Sequence, residues 1–167
     1  MAREMMRRMS ILSLVHRIDG DERILKRIDE EVNAACNFVD WNPVHSLDVA
    51  KISFAIAMTV DWSGHALPKA TVQLAKQSLI DKAIMPSYDE DGERMGWLKG
   101  NNNWNTICHS SMIIASLTIA EKDYELVAKT ISRALNEMTS RVRLKRTLQT
   151  AFTQKALPIG STARITA

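Results

Sequence analysis

The sequence predicts an all-α protein built of antiparallel helical hairpins. Three observations carry this. Apolar residues recur at three- and four-residue spacings through six successive stretches. No stretch shows the strict alternation of a half-buried strand. Short turns marked by Gly, Pro, Asn and Asp separate the stretches. Six helices in three hairpins, repeating at roughly 50 residues, predict stacked hairpins that cover one another's faces.

The first predicted helix spans residues 2–18, where Met5, Met6, Met9, Leu12, Leu14, Val15 and Ile18 recur near helical spacing. Asp19-Gly20-Asp21 reads as a stop followed by a start. The second helix covers 21–38, with Ile24, Leu25, Ile28, Val32, Ala35 and Cys36 on one face. Glu22 with Lys26, and Arg27 with Glu31, are opposite-charge pairs four apart on its wet side. Asp40-Trp41-Asn42-Pro43 breaks the pattern, because Pro43 disfavours helix at Asn42.

A third helix runs from His45 or Ser46 to Trp62. Its middle, Ile52 to Met58, is apolar nearly all round, which predicts burial on most sides. Residues 63–68 turn the chain into a fourth helix, from Pro68 to Ala83, with proline allowed in its first turn. Residues 86–100 hold Pro86, Gly92, Gly96, Gly100 and several charges, and read as a long loop of the kind that carries function. The fifth helix is 102–120. The sixth is 123–138, with Leu126, Val127, Thr130, Ile131, Ala134, Leu135 and Met138 inward.

Composition is that of a globular chain with a sizeable core: 167 residues, 46% hydrophobic and 25% charged. Cys36 and Cys108 have no metal-type spacing and read as buried small apolar residues. Met112 to Ala120, the longest mostly apolar stretch, is too short to span a bilayer. Residues 1–18 read as a helix, not as a signal peptide, because His16 and Arg17 close the apolar run and no small-residue cleavage site follows. The net charge of +3 divides unevenly. Residues 141–167 carry six basic and no acidic residues, whereas the first 140 hold 16 basic and 19 acidic. The basic isoelectric point thus belongs to the tail and is no sign that the body binds nucleic acid.

The chemistry-bearing stretch is Gly100-Asn101-Asn102-Asn103-Trp104-Asn105, running on to Cys108 and His109. Asparagine is a poor helix interior residue and a good cap, so Asn101, Asn102 or Asn103 starts the fifth helix. A cap uses a single amide. The others remain as neutral donors and acceptors beside an aromatic, at a helix end that favours negative charge. Such a place suits a sugar carboxylate. The plainer reading is a capped turn with Trp104 in the core. His109 lies four residues after Asn105 on the same helical face; a base and a core histidine satisfied by its surroundings are its two readings. His16, His45 and His65 read as helix, surface or capping residues.

Together with Asp40-Trp41-Asn42-Pro43, Asp61-Trp62 and Ala66-Leu67-Pro68, the segment from Gly96-Trp97-Leu98 to Asn105 and Cys108 resembles the helical domain of heparinase II/III-like polysaccharide lyases, including the oligoalginate lyases. The similarity covers residues 2–140. It implies an incomplete (α/α) toroid, which in that family precedes a β-sandwich domain. It also implies β-elimination on uronic-acid polysaccharides. In that reaction Asn or His neutralises the substrate carboxylate, a Tyr or His takes the neighbouring proton, and a Tyr protonates the leaving oxygen. By this resemblance Asn103, Asn105 and His109 are the catalytic candidates. Asn102, Trp104 and Trp97 are the substrate-binding ones, with Trp97 and Trp104 equally readable as core. An acidic polysaccharide or oligosaccharide is the expected partner, with no cofactor and no metal. The family works in the periplasm or outside the cell. Two departures stand out: His109-Ser110-Ser111 where relatives often carry a Gly-containing stretch, and Gly64-His65 where they often carry an aromatic and an acid.

After Ser140 the resemblance stops. Relatives continue with a tyrosine-rich loop that would bring the catalytic acid, whereas residues 141–167 hold neither Tyr nor Trp. A one-base shift of the coding frame allows such a loop from about Arg146 onward. The sequence therefore predicts a frameshifted, unpacked tail on a lyase fragment that is inactive alone. A basic tail that binds an acidic partner is the competing reading. Two other functional classes stay open. The first is a non-catalytic helical-repeat module that binds a glycan or a protein. The second is a glycoside hydrolase using loop acids among Asp89, Glu90, Asp91 and Glu93.

Overall fold

The computed structural model describes residues 1–88, 96–98, 100 and 102–139. Among these there are helices and turns and no strand. The helices are α1 (Ala2–Asp19), α2 (Glu22–Cys36), α3 (Ser46–Ser63), α4 (Lys69–Leu79), α5 (Asn103–Thr118) and α6 (Tyr124–Thr139). Over the described residues the chain is all-α, as the periodicity predicts. The expected tail behaviour after 140 and the acids at 89–93 lie outside the described residues.

Local chemistry sets the helix ends. Gly20 closes α1 with φ +66°, a left-handed conformation that costs glycine little, and its N–H bonds to the His16 carbonyl at 2.8 Å. The Asp21 carboxylate accepts from the Arg23 N–H at 2.8 Å and caps α2. At the far end of α2, Lys82 donates to the Cys36 and Phe38 carbonyls, and the Trp41 indole donates to Ala35 O at 3.0 Å. Asn42 has φ +62°, which asparagine tolerates, and its N–H is held by Asp40 Oδ1 at 2.8 Å. The fourth helix does not stop at Ala83. It widens into a π-helical turn, Ile80–Ile84, then tightens into a 3₁₀ turn, Met85–Tyr88. Pro86 has no N–H to give an α-helical ladder, so the winding changes around it.

The helices form two layers. The odd helices α1, α3 and α5 lie side by side and run parallel. Ser13 Oγ and Thr59 Oγ1 meet at 3.1 Å between α1 and α3. Ser53 Oγ and Ser111 Oγ meet at 2.8 Å between α3 and α5, and Ser111 also donates to Ala50 O at 2.5 Å. The even helices cover one side of that layer. Asn33 of α2 and Thr71 of α4 share Asp29, with Thr71 Oγ1 2.5 Å from its carboxylate. The core lies between the layers, around Met9, Ile28, Ile56, Leu79 and Met112.

Three expectations are corrected. Glu31 is buried rather than wet: Arg27 at 2.6 Å and Arg8 of α1 at 2.7 Å both hold it, so the pair clamps α1 to α2. In α1 the covered stripe is Met5, Met9, Ser13 and His16, while Leu14 and Ile18 face water. Leu135 is half exposed, because the covered stripe of α6 runs through Val127, Thr130 and Ala134 and Leu135 stands about 100° away from it.

Candidate functional site

The segment singled out in the sequence folds as one unit. Asn102 is the cap of α5, its Oδ1 accepting from the Trp104 N–H at 3.1 Å. Asn105, one turn in, is fully buried and points back at the preceding turn. Its Nδ2 donates to the carbonyls of Trp97 at 2.9 Å and Leu98 at 2.7 Å. His109 Nε2 lies 3.2 Å from the same Leu98 carbonyl. A carbonyl can only accept, so Nε2 carries the proton there. The Trp97 ring packs edge-on against His109 with centroids 4.8 Å apart. A Cβ on Gly100 would fall 2.8 Å from Gly96 O, so this turn closes only around glycine.

This separates the six candidates into two groups. Asn105, His109 and Trp97 are buried, and together they brace the Gly96–Leu98 turn against α5. Both hydrogens of the Asn105 amide are committed to backbone. Asn102 and Asn103 are exposed and Trp104 is half-buried, at the head of α5. Only these three stand where a solute can reach them.

Tertiary packing adds two residues that the sequence reading did not select. His45, just before α3, meets the Trp104 ring edge-on at 5.2 Å. Its Nδ1 is 3.2 Å from Asp48 Oδ2, and Lys51 Nζ is 3.8 Å from Asp48 Oδ1. His45 and Lys51 belong to α3 and its approach, and the amides to α5. No spacing in the sequence links them; only the parallel pairing of the two helices does. At this end α1, α3 and α5 all begin, so their helix dipoles present the same positive sign.

No protein-family model matches this chain, and no curated protein matches it in sequence.

A cavity of about 600 Å³ lies further along the same helices. Phe54, Met58 and Trp62 of α3 and Ile114 and Leu117 of α5 line it, together with Asp61 and Lys76. Asn103, Ile107 and Ile114 recur at helical spacing on one face of α5, with Ile114 about 16 Å along the axis from Asn103. Amides and groove thus share a helix face at different heights. A second cavity of about 420 Å³ sits at the starts of α1 and α3, among Met1, Phe38, Trp41, Asn42, Asp48 and Ile52. Among the described residues no three His, Cys, Asp or Glu converge closely enough to hold a metal, and no helix is long and apolar enough to cross a membrane.

Proposed function

We propose that this chain is part of an (α/α) toroid of the heparinase II/III-like lyase type, and that alone it holds an acidic saccharide without cleaving it. The observation carrying this is the head of α5. Two exposed amides, the half-buried Trp104 and His45 gather where three parallel helices begin, with the Asp48–Lys51 ion pair next to His45. Asn103 and the free Nδ2 of Asn102 offer neutral donors to a carboxylate, Lys51 offers charge, and Trp104 offers an aromatic edge to a sugar ring. The two-layer alternation, with parallel odd helices backed by even ones, suits an arc of such a toroid. In this reading Asn105 and His109 serve the site by fixing the turn and do not touch substrate.

Lack of turnover follows from the tyrosines. The chain has two. Tyr88 Oη is bonded to Thr130 at 2.8 Å under the Arg133 guanidinium, and Tyr124 opens α6 at the far end of α5. Neither stands at the head of α5, so no phenol is placed there to protonate a leaving oxygen.

The test is calorimetric titration with oligomers of alginate and heparin beside a neutral oligosaccharide, with unsaturated-uronate absorbance read in parallel. Expected are binding of the acidic oligomers only, roughly tenfold or more weaker in Asn103→Ala at unchanged helicity, and no absorbance change. Equal binding of the neutral oligomer, or indifference to Asn103→Ala, overturns the saccharide site. A rise in absorbance overturns the inactivity. The apolar groove favours a second reading, a module that binds a protein segment; Met58→Glu abolishing such binding while Asn103→Ala leaves it intact would select it.

A further inference from the structure

The groove between α3 and α5, about 600 Å³, has the size of a small-ligand site. Phe54, Met58 and Trp62 line it from one face of α3 at four-residue spacing, and Ile114 and Leu117 line it from α5. Its polar side chains, Asp61, Lys76 and Thr118, gather at the end where α3 and α5 finish. Two of these are committed. Thr118 Oγ1 donates to Ile114 O at 3.0 Å, and the largely buried Lys76 ammonium is held by the Glu121 carboxylate. Asp61 is not. It makes no hydrogen bond or ion pair among the described residues. On the other side of the groove α5 brings no Asp, Glu, Lys or Arg from Asn103 to Thr118, so nothing there offsets the Asp61 charge. The groove is therefore apolar along its length and negative at one end. Phe54 and Asp61 are seven residues apart, about 10 Å along the axis of α3.

We propose that this groove binds a small amphiphilic cation, an organic ammonium with an apolar body. The body lies along Phe54, Met58 and Ile114, and the ammonium lies at the Asp61 and Trp62 end. Burial of the body favours any amphiphile of this length equally. The head group decides between them. A cation is attracted by the carboxylate and by the aromatic ring, a neutral head gains neither, and an anion is repelled. Asp61 is exposed, so neither charge has to be stripped fully of water when they meet. The groove is distinct from the head of α5, and an acidic saccharide has the wrong sign for it. The inference does not depend on the saccharide reading.

Calorimetric titration of the full chain tests it, with three amphiphiles that share an octyl chain and are kept below their micelle concentrations: octyltrimethylammonium, octanol and octyl sulfate. Octyltrimethylammonium should bind roughly tenfold or more tighter than octanol, and octyl sulfate weakest of all. Asp61→Asn should lower the cation to the affinity of octanol and leave octanol unchanged, because no contact of the fold depends on that carboxylate. Asp61→Lys should invert the order of cation and anion. Leu117→Lys, at a position 60% exposed in the wild type, should weaken the cation, whereas Asn103→Ala should not. All four variants should keep the wild-type circular dichroism. Equal affinity of the wild type for the three amphiphiles overturns the proposal and leaves only an unselective apolar surface. So does selectivity that survives Asp61→Asn, or cation binding that is indifferent to Leu117→Lys or lost in Asn103→Ala. A wild type that takes up no cation overturns it as well, which is also the outcome if residues 141–167 cover the groove.

Discussion

The Asn105 amide nitrogen lies 2.7 Å from the Leu98 carbonyl oxygen, and the same nitrogen reaches the Trp97 carbonyl at 2.9 Å. A single buried side chain thus satisfies two successive backbone acceptors of the turn that precedes its helix. Asn105→Ala leaves both acceptors without their donor and opens a small void. The expected cost is about 2–4 kcal/mol, read as a lower urea midpoint at unchanged slope. Asn105→Asp should cost more at neutral pH, because it sets carboxylate oxygens against carbonyl oxygens, and should recover part of the loss in acid once it is protonated.

Lys82 ends α2 from a distance in sequence, donating to the Cys36 and Phe38 carbonyls. Lys82→Met keeps the stem and removes the charged donor. We expect a loss of about 1.5–3 kcal/mol by urea denaturation, and faster hydrogen exchange confined to the last turn of α2. Lys82→Arg should restore less than half, since a planar guanidinium does not fit two acceptors arranged for an ammonium.

Arg133 joins α6 to the 3₁₀ turn. Its guanidinium lies 3.9 Å from the Tyr88 ring centroid and donates to Ser87 O at 2.7 Å and Ser87 Oγ at 2.6 Å. Arg133→Lys keeps the charge but loses the stack and the fork. The change should destabilise by about 1–2 kcal/mol and raise exchange at residues 85–88 ahead of the rest of the fold.

Burial pushes the Cys108 thiol up to about 12, and the Cys36 thiol is raised by burial as well. In the unfolded chain such a thiol ionises near about 8.5. The folded state thus keeps protons that the unfolded chain sheds. Stability from this source is complete below about pH 8.5 and falls as the pH rises towards 12. Urea midpoints should drop from pH 8 to pH 10.5, less steeply in Cys108→Ala. At pH 8 neither thiol should react with a thiol-specific disulfide reagent until urea unfolds the chain.

What the sequence made legible is what local chemistry decides. The Asp19-Gly20-Asp21 boundary, the cap at the head of α5 and the burial of both cysteines depend on near neighbours, and all were readable. The inward stripe of α1 was not. That helix carries methionines on one face and Ile11, Leu14 and Ile18 on another, and periodicity cannot choose between two apolar faces. Asn105 shows the same limit in the candidate site. Its amide is equally able to bind a ligand or a backbone carbonyl, and the turn eight residues earlier, invisible to spacing, took it. His45 and Lys51 join the site only through the docking of α3 beside α5.

Short polar side chains meet between the odd helices: Ser13 with Thr59, and Ser53 with Ser111. All four are buried, and each spans the gap with a single oxygen. Mutational tolerance should therefore run against the usual expectation about cores. Trading one bulky aliphatic for another leaves room to adjust, but an added methyl group at Ser53 or Ser111 has nowhere to go except between two backbones. At these helix contacts the smallest buried side chains leave the least room for change.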